Sequence, residues 1–525
     1  MSFSKVYSAQ TNLLSVIPIS VETDITSRTL YAFAVVGLPD KAVEEARDRI
    51  SAAIKNSGFE SPKKRNHKIV ISLAPADVKK EGPHFDLSMA LSYLQAKEEI
   101  EFDPEGKLFL GELSLDGKVR PVHGILPVAR FAKKNGFKEL YVPMENVREA
   151  AIIDGLDVFG VSTLAGLIEH LSPRQGSGQV GTKKIQKAEL TLVDKVKSFS
   201  SIDFSDVRGQ ERAKRGLLIA AAGGHNSAMY GPPGTGKTML AKAFAGILPE
   251  LSFEESLEVT SIHSVAGILA ETFITNPPFR APHHTASYVS LVGGGTTPRP
   301  GEITLAHTGV LFMDEFPEFD RRVIESLRQP LEDRVISVSR AKGTAHFPAS
   351  VLLIAAMNPC PCGNFGFRGK PCICTPSALS RYRRKMSGPI MDRIDIWLEV
   401  DRVLPSDLHD DDRSLPAGRQ GDKSEIFRTK VEQARKTQRE RFDKKGRKLS
   451  RNSEMSARDL VTLVTLDKES RRTLDLAAER LGFSPRVYHR MIKVARTIAD
   501  LEGSPEITNS HILEAVEYRP KKFDV

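Results

Sequence analysis

Cysteine is scarce and unevenly placed in this chain: 525 residues hold four, all between Cys360 and Cys374. That clustering excludes a disulfide framework spread over a secreted fold. Long apolar runs are missing too. The longest, such as LLIAAA at residues 217–222, have core-helix length and fall well short of the roughly 18 residues that cross a bilayer. The opening stretch, MSFSKVYSAQTNLLSV, lacks a basic start, a hydrophobic run and a small-residue cleavage site in sequence. A cytoplasmic protein with no membrane partner is expected. Acidic residues are in deficit, 66 against 75 Lys and Arg, giving a net charge of +9. The excess favours an anionic partner, nucleic acid first, although a lysine-rich solvated surface would give the same count.

A chain of this length predicts about three domains. Residues 1–171 alternate strands (LYAFAVVGLP, HKIVISLAP, KELYVP, DVFGV) with helices. One helix has Asp40 as its N-cap, Gly58 as its stop, and Ala42, Ala46, Ile50 and Ile54 on one face. This reads as an α/β or α+β domain. Residues 172–201 begin with SPRQGSGQVGTKK and read as a linker. Residues 202–403 form a second domain, residues 404–423 a loop, and residues 424–525 a helical domain.

The stretch MYGPPGTGKTMLAKAFAG carries G-x-x-x-x-G-K-[ST] between a short strand and an apolar helix. Gly231, Pro232, Pro233, Gly234, Thr235, Gly236, Lys237 and Thr238 are the expected ATP-binding residues. The glycines let backbone N–H groups face phosphate oxygens at a helix N-terminus. Lys237 is expected on the β- and γ-phosphates and the Thr238 hydroxyl on Mg²⁺. In GVLFMDEF, the apolar run from Val310 to Met313 predicts a central parallel strand. Asp314 then holds Mg²⁺ through water, and Glu315 orients or deprotonates the attacking water. SVLLIAAMNP predicts a third buried strand, with Asn358 at its tip to hold the lytic water and sense hydrolysis.

The run PFRAPHHTASYVSLVGGGTTPRPGEITLAHTGVLFMDEFPEF at residues 278–319, and SGPIMDRIDIWLEV at residues 387–400, resemble the magnesium-chelatase-like AAA+ ATPases. With the N-terminal unit included, the chain is similar to the ComM/YifB branch of that family. The resemblance implies an α/β fold: a P-loop AAA+ core, a Lon-protease-like α/β N-terminal domain and an all-α C-terminal lid. It also implies a homo-oligomeric ring, a hexamer, with ATP between subunits. Arg393 matches the arginine finger that acts across the subunit boundary, with Arg381, Arg383 and Arg384 as rivals and a salt bridge to Asp392 or Asp395 as the alternative reading. Arg486 matches the sensor-2 arginine of the lid. The long gap between Thr238 and Asp314 leaves room for an insertion around residues 265–303, and DRVISVSRAKGTAHFP predicts a hairpin. His283 and His284 read as loop residues.

Cys360, Cys362, Cys372 and Cys374 form two C-x-C pairs separated by nine residues. Four thiolates on a Gly-rich loop are expected to close a structural tetrahedral Zn²⁺ site. KKEGPHFDLSMAL, with GELSLDGKVRPVHGILPVARFAKKNG, resembles the proteolytic domain of Lon-type proteases. The expected serine after Gly82-Pro83 is His84, and the expected lysine falls near Leu126, so the catalytic dyad is absent and acyl-enzyme chemistry is excluded.

The expected function is an ATP-hydrolysing ring motor on DNA, a helicase or branch-migration factor in recombination or natural transformation. KKRNHK at residues 63–68 and the basic residues of 428–448 are its expected DNA contacts. The alternative is a magnesium-chelatase-like motor that remodels a protein partner.

Overall fold

The computed structural model describes residues 2–12, 14–27, 29–64, 66–172, 184–191, 202–295, 299–340, 343–367, 370–402 and 423–520. Most of the expected linker at 172–201 and of the loop at 404–423 lies outside these residues. The chain forms two compact units. Unit one comprises Met1–Lys195 with Ser256–Ile274, and unit two comprises Val196–Glu255 with Thr275–Val525.

Unit one is built on a four-stranded mixed sheet and a three-stranded parallel sheet. In the first, β1 (Ser2–Asn12), β2 (Ser15–Ser27), β3 (Ala32–Val36) and β4 (His67–Ala74) run in the order β1-β2-β4-β3. β2 alternates buried and exposed residues, with Ile19, Val21 and Ile25 facing the core. Asp40 caps α1 (Lys41–Asn56) by accepting the Val43 N–H at 2.9 Å. Ala46, Ile50 and Ile54 are its buried face. Nearly every residue of α2 (Asp86–Ala96) is buried. The second sheet, β5 (Lys107–Phe109), β6 (Glu139–Pro143) and β7 (Asp157–Val161), is parallel throughout.

Unit two holds a five-stranded, fully parallel sheet. β8 (Ser227–Tyr230), β9 (Phe279–Arg280), β10 (Val310–Met313), β11 (Leu352–Met357) and β12 (Ile396–Glu399) take the order β9-β10-β11-β8-β12. Every residue of β8, β10 and β11 is buried, as strands covered on both faces require. The order reverses at β8, which puts the crevice beyond its carboxyl end at a topological switch point. The C-terminal helices α3 (Ser424–Asp443), α4 (Lys468–Leu481), α5 (Pro485–Leu501) and α6 (Asn509–Glu517) contribute Val431, Leu474, Met491 and Ile512 to the same apolar cluster as Met229 and Ile354. The fold is thus α/β, with a parallel P-loop core and a helical C-terminal region.

Two expectations change. The insertion read at residues 265–303 is displaced. Ser256–Ile274 belongs to unit one, where Leu257 and Phe273 pack with Ile125, Leu140 and Val158. β9 lies inside the span read as insertion, yet it is a strand of the unit-two sheet, and the Val310 N–H donates to the Pro278 carbonyl at 2.8 Å. A two-residue edge strand leaves no periodicity for sequence reading to find. The DNA assignment of residues 428–448 also narrows. The Arg428 guanidinium donates to the Gly246 carbonyl and that of Arg435 to the Ala221 carbonyl, each at 2.7 Å, and Arg441 pairs with Asp500 at 2.7 Å. These three cap helix ends and bury a carboxylate inside unit two. Lys436, Arg439, Lys444, Lys445 and Lys448 remain exposed. In the other basic stretch, Lys63 pairs with Asp48 at 2.6 Å. The hairpin expected from DRVISVSRAKGTAHFP is present, with Val335–Arg340 antiparallel to Gly343–Pro348.

Candidate nucleotide site

β8 leads into the glycine-rich loop and then into the helix Lys237–Gly246. Gly234 and Gly236 have φ of +77° and +89°, a region that side chains with a Cβ resist. Gly231 is needed for a different reason: a Cβ there would lie 1.9 Å from the Val400 carbonyl oxygen. The loop therefore packs directly against the end of β12.

Lys237 is buried, and its ammonium donates to the Gly231 carbonyl at 2.8 Å, the Pro232 carbonyl at 2.7 Å and Asn358 Oδ1 at 3.3 Å. Burial pushes it down to about 8, with Asp314 opposing. The Thr238 hydroxyl donates to Asp314 Oδ2 at 2.8 Å. Three strand ends thus bring Lys237, Thr238, Asp314 and Asn358 together. Three oxygens gather around one ammonium, and one hydroxyl and one carboxylate lie at a helix N-terminus. That donor set fits a magnesium-bound triphosphate: phosphate oxygens can replace the carbonyls on Lys237, and Thr238 with Asp314 can flank the cation.

Glu315 has φ +50°, a left-handed backbone that is uncommon outside glycine. Its N–H donates to Asp314 Oδ1 at 2.9 Å. Its carboxylate lies 3.1 Å from His284 Nδ1. Sequence reading missed His284 as a partner of Glu315, although it sits in the stretch that carried the family resemblance.

The two named arginines meet at one carboxylate. Arg393 is buried and pairs with Glu332, as does Arg486, and Arg393 also donates to the Pro389 carbonyl at 2.7 Å. The alternative partner Asp395 is taken instead by Arg490 of α5 and by His225, 3.3 Å away, and Arg490 holds its carboxyl well below the usual range against burial. Asp392 forms no ion pair with Arg393 among the described residues. Arg381 and Arg384 are exposed, and the Arg383 guanidinium lies over the Phe365 ring at 5.3 Å.

All four cysteine Sγ atoms lie within 4.8 Å of one another and can hold a metal ion. In unit one, His84 Nε2 is buried and makes no hydrogen bond among the described residues, and Leu126 is fully buried.

Comparison with known proteins shows the family. The family described as magnesium chelatase, subunit ChlI, matches residues 203–408. Subunit ChlI of Mg-chelatase matches residues 21–146, and the subunit's C-terminal family matches residues 421–519. The competence protein ComM of Haemophilus influenzae is 39% identical over 526 residues, covering 99% of this chain and 98% of that protein. This chain belongs to the magnesium-chelatase-like AAA+ ATPases of the ComM/YifB type. YifB of Escherichia coli is 40% identical over 521 residues, covering 99% and 97%. Lon protease 2 of Bacillus subtilis is 30% identical over 99 residues, 18% of each chain. Membership of the AAA+ family implies ATP and Mg²⁺ as ligands. Among the described residues no helix is long and apolar enough to cross a membrane.

Proposed function

We propose that this protein is an ATP-hydrolysing ring motor that acts on DNA, as a helicase or branch-migration factor in recombination or natural transformation. The meeting of Lys237, Thr238, Asp314 and Asn358 at adjacent parallel strand ends carries the ATPase part. Similarity over nearly the whole length to a competence protein supports the DNA part.

Bound magnesium-ATP supplies a phosphoanhydride bond whose hydrolysis releases energy. The chain's own residues do the rest. Lys237 neutralises phosphate charge, and Thr238 and Asp314 orient the cation. Glu315 accepts a proton from the attacking water, with His284 restraining its carboxylate. Asn358 spans Lys237 and the water position. Arg393 is assigned across the boundary to a neighbouring protomer, which requires its release from Glu332. Arg486 shares that carboxylate and links nucleotide state to the lid. We assign the core to residues 202–403, the lid to 424–525 and the dyad-less Lon-like domain to 1–171. The assembly is a cytoplasmic hexamer, and the cysteine loop is a structural Zn²⁺ site. Lys436, Arg439, Lys444, Lys445 and Lys448 supply sequence-independent phosphate contacts.

The test is ATP-driven branch migration of a labelled four-way junction, with Lys237→Ala as control. Migration by the wild type alone is expected. ATP turnover that DNA fails to stimulate, with no salt-sensitive DNA binding, would overturn the DNA reading in favour of a protein-remodelling motor.

A further inference from the structure

We propose that a zinc ion held by Cys360, Cys362, Cys372 and Cys374 braces the phosphate loop, so that metal occupancy sets nucleotide affinity. The inference rests on the zinc and ATP assignments above and adds a mechanical link between them.

Three sulfur separations are 3.4, 3.8 and 3.6 Å, for Cys360–Cys362, Cys360–Cys372 and Cys362–Cys372. Tetrahedral zinc with Zn–S bonds of about 2.3 Å requires edges of about 3.8 Å. The Phe365 N–H points at Cys360 Sγ at 3.3 Å, a contact that favours a thiolate. Regular secondary structure does not gather the described part of this loop. Its described residues form no helix or strand between β11 and the helix Pro376–Arg384, and Ile373 is 83% exposed.

The gathered loop bears on the nucleotide site at several points. Gly363, at φ +78°, lies against the phosphate loop so closely that a Cβ would sit 2.6 Å from Pro233 Cδ. The Phe367 ring meets Tyr230, the last residue of β8, edge-on at 6.4 Å. Asn364 Oδ1 accepts from Arg402 Nη2 at 3.3 Å, just beyond β12 and Val400. Cys360 follows Asn358 by two residues, and Asn358 accepts from Lys237. A metal that closes the loop therefore presses Gly363 on Pro233 and fixes the chain that carries Asn358. Releasing the metal removes that wall, and the phosphate loop must then be ordered by the nucleotide itself, which weakens binding.

The experiment measures zinc by elemental analysis and binding of a fluorescent ATP analogue by anisotropy. The full-length protein is assayed as purified, after chelation and return to magnesium buffer, and after zinc reloading. About one zinc per chain is expected, with affinity falling about 5- to 100-fold on stripping and recovering on reloading. Gly363→Ala keeps all four thiols, so it should retain zinc and still bind nucleotide more weakly. If stripping unfolds the protein, Cys374→Ser decides the matter: it removes one thiol, leaves the contact of Gly363 with Pro233 unaltered, and should weaken zinc and nucleotide binding together. Zinc present in the protein as purified, with nucleotide affinity unchanged once the metal is removed, overturns the brace and leaves the zinc assignment standing. A protein that neither contains nor takes up zinc overturns both. Failure of the zinc-loaded wild type to bind nucleotide overturns the ATP assignment, and the brace with it.

Discussion

In unit one a Gly82-Pro83 turn leads into the helix Asp86–Ala96; in unit two a Gly231-Pro232 turn leads to the helix Lys237–Gly246. The two turns serve opposite ends. After Gly82-Pro83 comes His84, its ring 4.0 Å from that of Phe85, and the following helix is buried along almost its whole length. Leu126 is core, with its N–H on Glu149 at 2.9 Å. After Gly231-Pro232 the loop turns its backbone oxygens and one ammonium towards each other, and Thr238, Asp314 and Asn358 join them. A shared Gly-Pro pair thus does not even fix where the helix begins, which is four residues after Gly82 and six after Gly231. The side chains that follow decide whether the place becomes packing or chemistry.

The sharpest test of that contrast is Lys237→Ala. Loss of the buried ammonium proposed to face phosphate is expected to weaken nucleotide binding about a thousandfold, roughly 4 kcal/mol. Titration with a fluorescent nucleotide reads this directly. His84→Ala in unit one should leave the same titration unchanged. A comparable loss from both variants would erase the distinction between the two turns.

Glu315→Gln comes next. It keeps the shape of the side chain and removes the proposed proton acceptor. Turnover should fall about a hundredfold or more while nucleotide affinity stays near that of the wild type. Phosphate release and anisotropy, measured on one preparation, separate the two quantities. Normal turnover would move the general base elsewhere.

Most of unit two was legible in the sequence because its strands are short apolar runs that end in chemistry-bearing residues. Val310 to Met313 before Asp314 and the run before Asn358 are of this kind. Legibility failed where structure depends on pairing across distance. The two-residue strand β9 has no pattern of its own, and Ser256–Ile274 departs for unit one without any composition change. Arg428, Arg435 and Arg441 looked like a nucleic-acid face because a linear sequence does not show that helix carbonyls and Asp500 meet them. The partner of Arg393 was sought among its neighbours, Asp392 and Asp395. The carboxylate that takes it, Glu332, lies far away along the chain and also takes Arg486.

That shared carboxylate gives the third test. Glu332→Gln should leave the buried Arg393 guanidinium without its counter-charge. Glu332 is 43% exposed, so water recovers part of the loss, and a destabilisation of about 2 kcal/mol is expected in denaturant unfolding. Arg486→Ala removes only the more exposed arm and should cost less. If the two variants are equally mild, Arg393 is held by the Pro389 carbonyl alone, and its release towards a neighbour needs no change at Glu332.

The smallest effect returns to unit one. Burial pushes the His84 imidazole down to about 4, against an ordinary value near 6.5. Above pH 6.5 both folded and unfolded chains hold it neutral, so it contributes nothing. As pH falls below 6.5 the unfolded chain takes up a proton that the buried ring refuses, and stability is lost progressively down to about pH 4. Between pH 7.5 and 6 the loss is about 1 kcal/mol. Asp86 works in the opposite sense: burial raises its carboxyl to about 6 despite the Arg49 guanidinium at 2.8 Å, so the folded state binds its proton first and gains stability as pH falls through 6. The wild-type slope therefore mixes two signs. The difference in unfolding free energy between wild type and His84→Gln, followed from pH 7.5 to 5, isolates the histidine. A difference that stays flat with pH would mean that His84 reaches water after all, and that the segment after Gly82-Pro83 is less sealed than its packing indicates.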